Sequence, residues 1–263
     1  MRFDVITLFP ELFTPFFKSG VTRRAYEGGL VDVRLWNLRD FADGNYRRVD
    51  DRPFGGGPGM VMMAEPLARC LDAVRADRAD RVPVVLFSPV GARLDHAAVT
   101  QWSASAGAVL VCGRYEGIDQ RFIDAHVDVQ ISLGDFVLSG GEIAAMALLD
   151  AVARLQPGVL NDEGSHQMDS FNTALDGLLD CPHYARPVHD ALGAVPEVLL
   201  GGNHRLIARW RRKQALGRTW LRRPDLLARA ALNREDSGLL DEFRREWLAA
   251  QARLPGPASG PDR

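Results

Sequence analysis

Short apolar runs rich in β-branched residues recur along this 263-residue chain, and stretches with helical spacing separate them. Such alternation predicts an α/β fold with a mainly parallel sheet, because parallel neighbours need a crossover that a helix usually supplies. The apolar runs lie at Phe3 to Leu8, Leu30 to Trp36, Arg81 to Ser88, Ala108 to Cys112 and Val127 to Ile131. Helices are expected from Pro10, over Glu65 to Arg75 and over Glu142 to Leu155, the last with an apolar stripe of Ile143, Met146, Ala147 and Ala153.

Glycine follows the later runs, at the end of the strands where parallel sheets usually bind ligands. The glycine-bearing loops are Ser88 to Gly91, Gly113 to Asp119, and Ile131 to Ala145, which opens a helix at Gly140 or Gly141. Glycine allows close backbone approach, and a helix start leaves N–H groups without partners. We therefore expect these loops to form one site for a small polar cofactor. Neither the dinucleotide fingerprint after the first strand nor a P-loop motif occurs.

Two further segments stand out between the strands. Asp43 to Met63 ends in D-R-P-F-G-G-G-P-G-M-V-M-M, where dense glycine and proline predict an irregular loop, with burial expected for Met60 to Met63. Arg114, Tyr115 and Glu116 share one loop with flanking glycines, which favours a binding loop over a plain connector.

The amino-acid composition indicates how large the core can be, which partners the net charge allows and in which compartment the protein is expected. With 46% hydrophobic residues, the chain can bury one large or two modest cores, and the net charge of -2 means that any nucleic-acid partner needs a local basic patch. The three cysteines suggest no disulfide framework, so a cytoplasmic, soluble protein is expected, without signal peptide or membrane span. Cys181 with His183 and His189 lacks a completing ligand, so no metal ligands are assigned.

The composition changes after Gly158. Asn161 to Met168 is polar and aperiodic and is interpreted as a linker, and the chain then becomes helical and basic. Helices are expected from Gly202 or Asn203 to near Gly217, from Pro224, and from a Ser237 cap through Ala250, before a disordered tail at Leu254 to Arg263.

The first of these helices lies in a basic stretch, His204 to Pro224, that contains no acid. Helical spacing places Arg205, Arg209 and Arg212 on one face. A solvated amphipathic face would explain such a run, but the missing acids favour a phosphate backbone as partner. Arginine also stacks on the unpaired bases that RNA loops offer.

Several segments together resemble the bacterial tRNA (guanine-N1)-methyltransferases of the TrmD family. They are R-P-F-G-G-G-P-G-M-V-M from Arg52, C-G-R-Y-E-G-I-D from Cys112, S-L-G-D-F-V-L-S-G-G-E from Ser132, D-S-F from Asp169, G-L-L-D-C-P-H-Y-A-R-P from Gly177, and W-R-R-K-Q-A-L-G-R-T-W-L-R-R-P from Trp210. The resemblance implies a SPOUT-type, trefoil-knotted α/β domain with a smaller C-terminal helical domain. It also implies an obligate homodimer with a composite site, and an enzyme that methylates N1 of the guanine 3′ of the anticodon.

The resemblance also implies site residues and domain bounds. Asp169 matches the general base, and Arg154 the residue that stabilises charge on guanine O6. S-adenosylmethionine is the implied methyl donor, possible magnesium is implied near Glu116, Asp169 and Asp180, and tRNA is the implied partner. The implied cofactor residues are Ser88, Pro89, Gly113, Tyr115, Glu116, Ile131, Gly134, Leu138, Gly140 and Gly141; those implied for tRNA are Arg205, Arg209, Arg212, Lys213, Arg218 and Arg222. The expected domains are 1–160 for the cofactor, 161–174 as linker or lid, 175–251 for tRNA, and 252–263 as tail.

The sequence departs from the family pattern at a few places. Asn172 to Asp176 lengthen the segment between D-S-F and G-L-L, Ala185 replaces a usual threonine, and Phe136 a common tyrosine. Two alternatives stay open, a non-catalytic RNA-binding protein of the same fold and a methyltransferase for a small molecule. Retention of Arg154 and Asp169 argues against the first, and the basic C-terminal region against the second.

Overall fold

A computed structural model describes residues 1–161 and 166–253. The chain divides into two compact units, Met1–Glu163 and Gly164–Arg263. The expected tail at Leu254 to Arg263 and the middle of the expected linker lie outside the described residues. None of the helices in the described ranges combines the length and apolar character needed to cross a bilayer.

A five-stranded parallel sheet forms the centre of the first unit, in the order β2-β1-β6-β5-β7. The prediction of an α/β fold with a mainly parallel sheet is therefore confirmed, whereas the knot stays a prediction. The strands of the sheet are β1 (Arg2–Thr7), β2 (Asp32–Asn37), β5 (Val84–Arg93), β6 (Gly107–Val111) and β7 (Val129–Ser132). A separate antiparallel pair, β3 (Asp50–Asp51) and β4 (Val61–Met62), lies within the expected irregular loop.

Helices cover both faces of this sheet, as the near-continuous apolar strands require. One buried cluster joins the sheet to α1, α2, α4 and α6, and a second joins it to α3 and α5. The helices are α1 (Phe13–Phe17), α2 (Arg23–Glu27), α3 (Ala64–Asp77), α4 (His96–Ser103), α5 (Gln120–His126) and α6 (Glu142–Ala153).

The apolar stripe expected on α6 was wrong in part. Ala153 is buried, but Ile143 and Ala147 are exposed, and the buried face consists mainly of Ala144, Ala145, Leu148, Leu149 and Val152. The helix is apolar almost all round, so periodicity alone could not select the face that packs on the sheet.

Asp4 is the acid within the first strand, and its side chain is fully buried. Arg78 Nη1 donates to its Oδ2 at 2.6 Å, and Trp36 Nε1 donates to its Oδ1 at 2.9 Å. A buried carboxylate is tolerated when it is paired and hydrogen-bonded, so Asp4 ties strand β2 and the chain after α3 to β1.

The described part of the second unit contains a short hairpin, β8 (His189–Asp190) with β9 (Gly193–Ala194), and three α-helices. The helices are α7 (His204–Arg222), α8 (Pro224–Leu227) and α9 (Arg234–Gln251). Their core includes Leu178, Leu216, Leu239 and Leu240. Asn203 caps α7 and Pro224 opens α8, as predicted.

Two of the predicted helix boundaries in this unit were wrong. Helix α7 does not stop near Gly217 but continues to Arg222. Helix α9 is capped by Asn233 and not by Ser237, because Asn233 and Asp236 form a reciprocal capping box.

Candidate active site

A cavity of about 450 Å³ lies where the loops after β6 and β7 meet the middle of β5. These strands are neighbours in the sheet, so the segments that follow them converge at one edge. The lining includes every residue that the sequence analysis assigned to the cofactor, namely Ser88, Pro89, Gly113, Tyr115, Glu116, Ile131, Gly134, Leu138, Gly140 and Gly141. The structure thus brings these residues together, and their contact with a cofactor stays a prediction.

An interruption in the ladder between β5 and β7 forms one wall of the cavity. Phe87 and Ala92 both lie opposite Ile131, so Ser88 to Gly91 leave the regular pairing. A Cβ at Gly91 would run into the backbone of β7, so this position needs glycine for the close approach. The displaced backbone can therefore present polar groups to a ligand instead of to the neighbouring strand.

The loop after β6 is held by the glycine-rich segment that precedes β4. Met62 N–H donates to Gly117 O, and Glu116 N–H donates to Met60 O, each at 2.9 Å. A Cβ at Gly59 would collide with the Glu116 side chain. The burial expected for Met60 to Met63 was wrong in part, because only Met62 is buried and the other three residues are of intermediate exposure. The irregular segment therefore supports the cavity wall that carries Tyr115 and Glu116.

A partly buried ion pair joins the loop after β6 to the loop that ends at α6. Glu142, only 1% exposed at the first position of α6, accepts from Arg114 Nε at 2.9 Å and from Thr7 Oγ1 at 2.8 Å. The Arg114 guanidinium also lies 4.5 Å from the Phe9 ring centroid. It occupies the space that a side chain at Gly140 would need. The pair therefore fixes the loop after β6 against the start of α6.

Sequence reasoning did not assign a role to Glu142 or Thr7. The G-G-E run could have suggested one, because an acid in the first turn of a helix is favoured by the helix dipole. What the run could not reveal is the partner, since Arg114 is 28 residues away in the sequence.

Two titratable groups near the cavity, the Tyr115 phenol and the Cys112 thiol, are neutral at neutral pH. Burial and the nearby Asp50 carboxylate raise the pKa of the Tyr115 phenol, although Arg39 opposes the shift. Complete burial, and then Glu142, raise the pKa of the Cys112 thiol well above its usual value. A thiolate is the reactive form of cysteine, so Cys112 is not suited to act as a nucleophile here.

Comparison with known proteins agrees with this arrangement. Residues 1–229 match the sequence profile of the family described as tRNA (Guanine-1)-methyltransferase TrmD. The chain belongs to this family.

Similar proteins of the TrmD family cover nearly the whole chain. One from Paracidovorax citrulli is 72% identical over 248 residues, which make up 91% of this chain and 97% of that protein. One from Polaromonas sp. is 71% identical over 253 residues, which make up 92% of this chain and 97% of that protein. One from Xanthomonas axonopodis is 58% identical over 246 residues, which make up 94% of this chain and 97% of that protein. Each bears the name tRNA (guanine-N(1)-)-methyltransferase.

Two residues are predicted to be catalytic because of the resemblance to the TrmD family, and they lie in different units. Arg154 is the C-cap of α6, where its N–H donates to Asp150 O at 3.1 Å. Asp169 lies in a turn in which its N–H donates to His166 O at 3.3 Å and its carbonyl accepts from Asn172 N at 3.2 Å. Local backbone bonds thus position both residues, and their catalytic roles stay predictions.

The lengthened segment after Asp169 forms an ordered turn. Thr173–Leu175 make one 3-10 turn, whose first residues are capped because the Asn172 side chain accepts from Ala174 N at 2.9 Å. Asp176 adopts a φ of 54°, and Leu175 is buried. The residues of this segment therefore close on themselves in a local turn.

The basic helix α7 is partly neutralised, contrary to the expectation drawn from its acid-free sequence. Arg209 pairs with Glu242 at 2.6 Å, and Lys213 pairs with Glu242 at 2.8 Å. Arg212 pairs with Asp236 at 2.7 Å. Of the residues predicted for tRNA, those exposed and without an ion pair to another described residue are Arg205, Arg218 and Arg222.

One group of potential metal ligands occurs among the described residues of the second unit. The ligand atoms of Asp180, Cys181 and His183 lie within 4.8 Å of one another, and His189 is not part of the group. The Asp180 oxygens already contact the Cys181 N–H at 2.6 Å and His183 Nε2 at 2.7 Å. Burial, followed by the charge of Asp180, raises the pKa of the Cys181 thiol to about 11. Thiol and imidazole are poor ligands for magnesium, which prefers oxygen, so this group does not fit that ion.

Proposed function

We propose that this protein transfers a methyl group from S-adenosylmethionine to N1 of the guanine that lies 3′ of the anticodon in tRNA. The observation that carries the proposal is that one cavity is lined by all the residues that match the family's cofactor motifs. Membership of the TrmD family supplies the reaction class. The cytoplasm, where tRNA is found, is the proposed location.

The cavity suits a cofactor with an adenine at one end and an amino acid at the other. Its walls consist of displaced backbone at Ser88 to Gly91 and of loops rich in glycine, whose N–H and C=O groups can contact both polar ends. Leu86, Ile131 and Leu138 add apolar surface for the adenine plane. When bound, S-adenosylmethionine supplies a methyl group activated by its sulfonium charge.

The chain's own residues provide the proton chemistry. Neutral guanine carries a proton on N1, and removing it frees the electron pair that must attack the methyl carbon. Asp169 is the proposed base that accepts this proton, and Arg154 donates hydrogen bonds to O6, where negative charge grows. Positioned proton transfer contributes roughly a hundred- to ten-thousandfold. No step is assigned to magnesium, because the group around Asp180 does not fit it.

A homodimer completes the proposed site. Asp169 belongs to the second unit, whereas the cavity and Arg154 belong to the first. In the proposed arrangement the cavity of one subunit works with Asp169 of its partner, as the family resemblance implies.

The test uses labelled S-adenosylmethionine and tRNA transcripts with or without the target guanine. Wild-type protein should label only the transcript with the guanine, and Asp169→Ala should lose roughly a hundredfold or more of the rate. Calorimetry should find cofactor binding by Asp169→Ala nearly unchanged. Asp225→Ala is the matched control, since Asp225 is an exposed acid of the same unit that pairs with Arg223.

Absence of transfer to either transcript would contradict the enzyme assignment and favour a non-catalytic RNA-binding protein. If Asp169→Ala instead lost cofactor binding, Asp169 would be a structural residue and another base would be needed.

A further inference from the structure

A second cavity, of about 490 Å³, lies within the second unit between the segment at Pro182 to Val188 and one face of α7. Its lining combines aromatic rings with cations. Tyr184 and Trp210 contribute the rings, whose centroids lie 6.3 Å apart at an angle of 54°. Arg186 and Arg211 contribute the guanidinium groups.

Tyr184 is half-exposed, with 49% of the residue accessible to solvent. Another tryptophan of α7 provides a contrast: Trp220 packs edge-on against Trp247 at 5.7 Å and has the Arg244 guanidinium 5.2 Å above its ring. Trp220 therefore joins α7 to α9, whereas Trp210 turns toward the half-exposed Tyr184.

The cations of this cavity lack ion pairs with the residues that the structure describes, unlike those on the face of α7 next to α9. Arg186 and Arg211 are both exposed and form no ion pair with another described residue. The described residues that line the cavity include no carboxylate. By contrast, Arg209 and Lys213 of the same helix pair with Glu242. The fold thus concentrates free positive charge beside accessible aromatic surface.

Accessible rings next to arginine form the combination that recognises single-stranded nucleic acid. Bases stack on aromatic faces in a sequence-tolerant way, and the guanidinium groups contact the adjoining phosphates. We propose that this cavity binds an unpaired nucleobase of the RNA substrate, stacked on Tyr184, with its phosphate held by Arg186 and Arg211. The RNA substrate itself rests on the proposed function. The lining does not include Asp169, so the base held here is a different one from the guanine that loses its proton.

The test measures binding of full-length protein to the tRNA transcript with the target guanine. Tyr184→Leu, which keeps bulk but removes the ring, should weaken binding about tenfold, while Tyr184→Phe should bind like wild type, because stacking needs only the ring. Tyr46→Leu is the control, since Tyr46 is a 94% exposed tyrosine of the first unit. Circular dichroism checks that each variant is folded.

The fluorescence of 2-aminopurine in the RNA identifies which base stacks on Tyr184. Transcripts carry 2-aminopurine at one unpaired loop position at a time, and stacking quenches its emission. One position should be quenched by wild type and Tyr184→Phe but not by Tyr184→Leu. The slope of binding against salt gives a second measurement, because Arg211→Gln should reduce it by about 0.7 to 0.9 for one lost phosphate contact. Arg245→Gln, at an exposed arginine of α9, should leave the slope nearly unchanged.

The outcomes of these experiments distinguish a failure of the cavity proposal from a failure of the proposed enzyme function. If Tyr184→Leu binds tRNA as tightly as wild type and no position loses quenching, the cavity proposal is overturned even though methyl transfer continues. A change of oligomeric mass without a change of RNA affinity would also overturn it, by assigning the surface to a protein partner. If the protein binds unpaired RNA in a way that depends on Tyr184 but transfers no methyl group, the cavity proposal is supported and the proposed function fails.

Discussion

Gly217 illustrates how the role of one residue depends on its neighbour in space. Glycine commonly ends a helix, and the sequence analysis placed the end of α7 near it. The helix instead continues, and a Cβ at Gly217 would run into the Phe243 ring of α9. Glycine is therefore required here for the close approach of the two helices.

Gly217→Ala should lower the free energy of unfolding by about 1 to 3 kcal/mol, because it overpacks the contact with Phe243. Urea denaturation measures the change. Gly238→Ala is the matched control on α9, since a Cβ there meets nothing within 4 Å. It should stabilise by about 0.5 to 1 kcal/mol, because alanine is the better helix former. Equal stability of both variants would contradict the packing argument.

Glu142 is a residue of the candidate site whose loss should lower stability. Glu142→Ala removes the buried carboxylate that accepts from Arg114 and from the buried Thr7 hydroxyl, so unfolding should become easier by about 1 to 3 kcal/mol. Cofactor affinity should fall as well, because the ion pair fixes two walls of the cavity. Thermal unfolding and calorimetry measure the two effects.

Arg121→Ala is the control for Glu142→Ala, because it removes an exposed ion pair with Asp119 and should change stability little. Unchanged cofactor affinity in Glu142→Ala would refute the role of the ion pair in shaping the cavity.

At the scale of elements, the contact between α7 and α9 combines an apolar core with a row of ion pairs. Arg209 and Lys213 of α7 pair with Glu242, and Arg212 pairs with the buried Asp236. Hydrogen bonds from Arg209 and then Lys213 lower the pKa of Glu242 from 4.5 to about 2. A hydrogen bond from Arg212 lowers the pKa of Asp236 as well. These charges of α7 therefore stabilise its contact with α9.

This contact should weaken in acid. A carboxyl whose pKa is lower in the folded state adds stability above its unfolded pKa and loses it as pH falls through the folded value. For Glu242 the loss should extend from about pH 4.5 down to about 2. Urea unfolding at a series of pH values measures it, and Glu242→Gln should show a smaller drop than wild type. An equally steep drop in Glu242→Gln would assign the acid sensitivity to other carboxyl groups.

At the scale of the whole molecule, the proposed composite site makes a prediction about mixed dimers. Asp169→Ala and Arg154→Ala should each be nearly inactive alone. When equal amounts are refolded or expressed together, half of the dimers in random pairing are mixed, and each has one intact site, so about a quarter of wild-type activity should return. Methyl transfer measures the recovery, and no recovery would place both residues in the site of a single subunit.

The sequence by itself determined the fold class and the loops around the candidate cavity, whereas the individual cofactor residues are those that resemblance to the TrmD family implies. Alternating apolar runs and helical stretches predicted the parallel sheet, because burial on both faces requires continuous apolar strands. Glycines at the strand ends predicted the cavity, since only glycine permits such close backbone approach. Both signals are local, and each depends on residues near one another in the chain.

Only the tertiary structure decided which distant residues meet. Glu142 pairs with Arg114, Glu242 neutralises Arg209, and Phe243 lies against Gly217. None of these contacts leaves a periodic trace in the sequence, because packing between elements brings together positions whose separation follows no local rule. The same limit explains why the acid-free stretch of α7 appeared wholly free for RNA. Its charge balance depends on α9, whereas the cations beside Tyr184 form no ion pair within the described part of the chain.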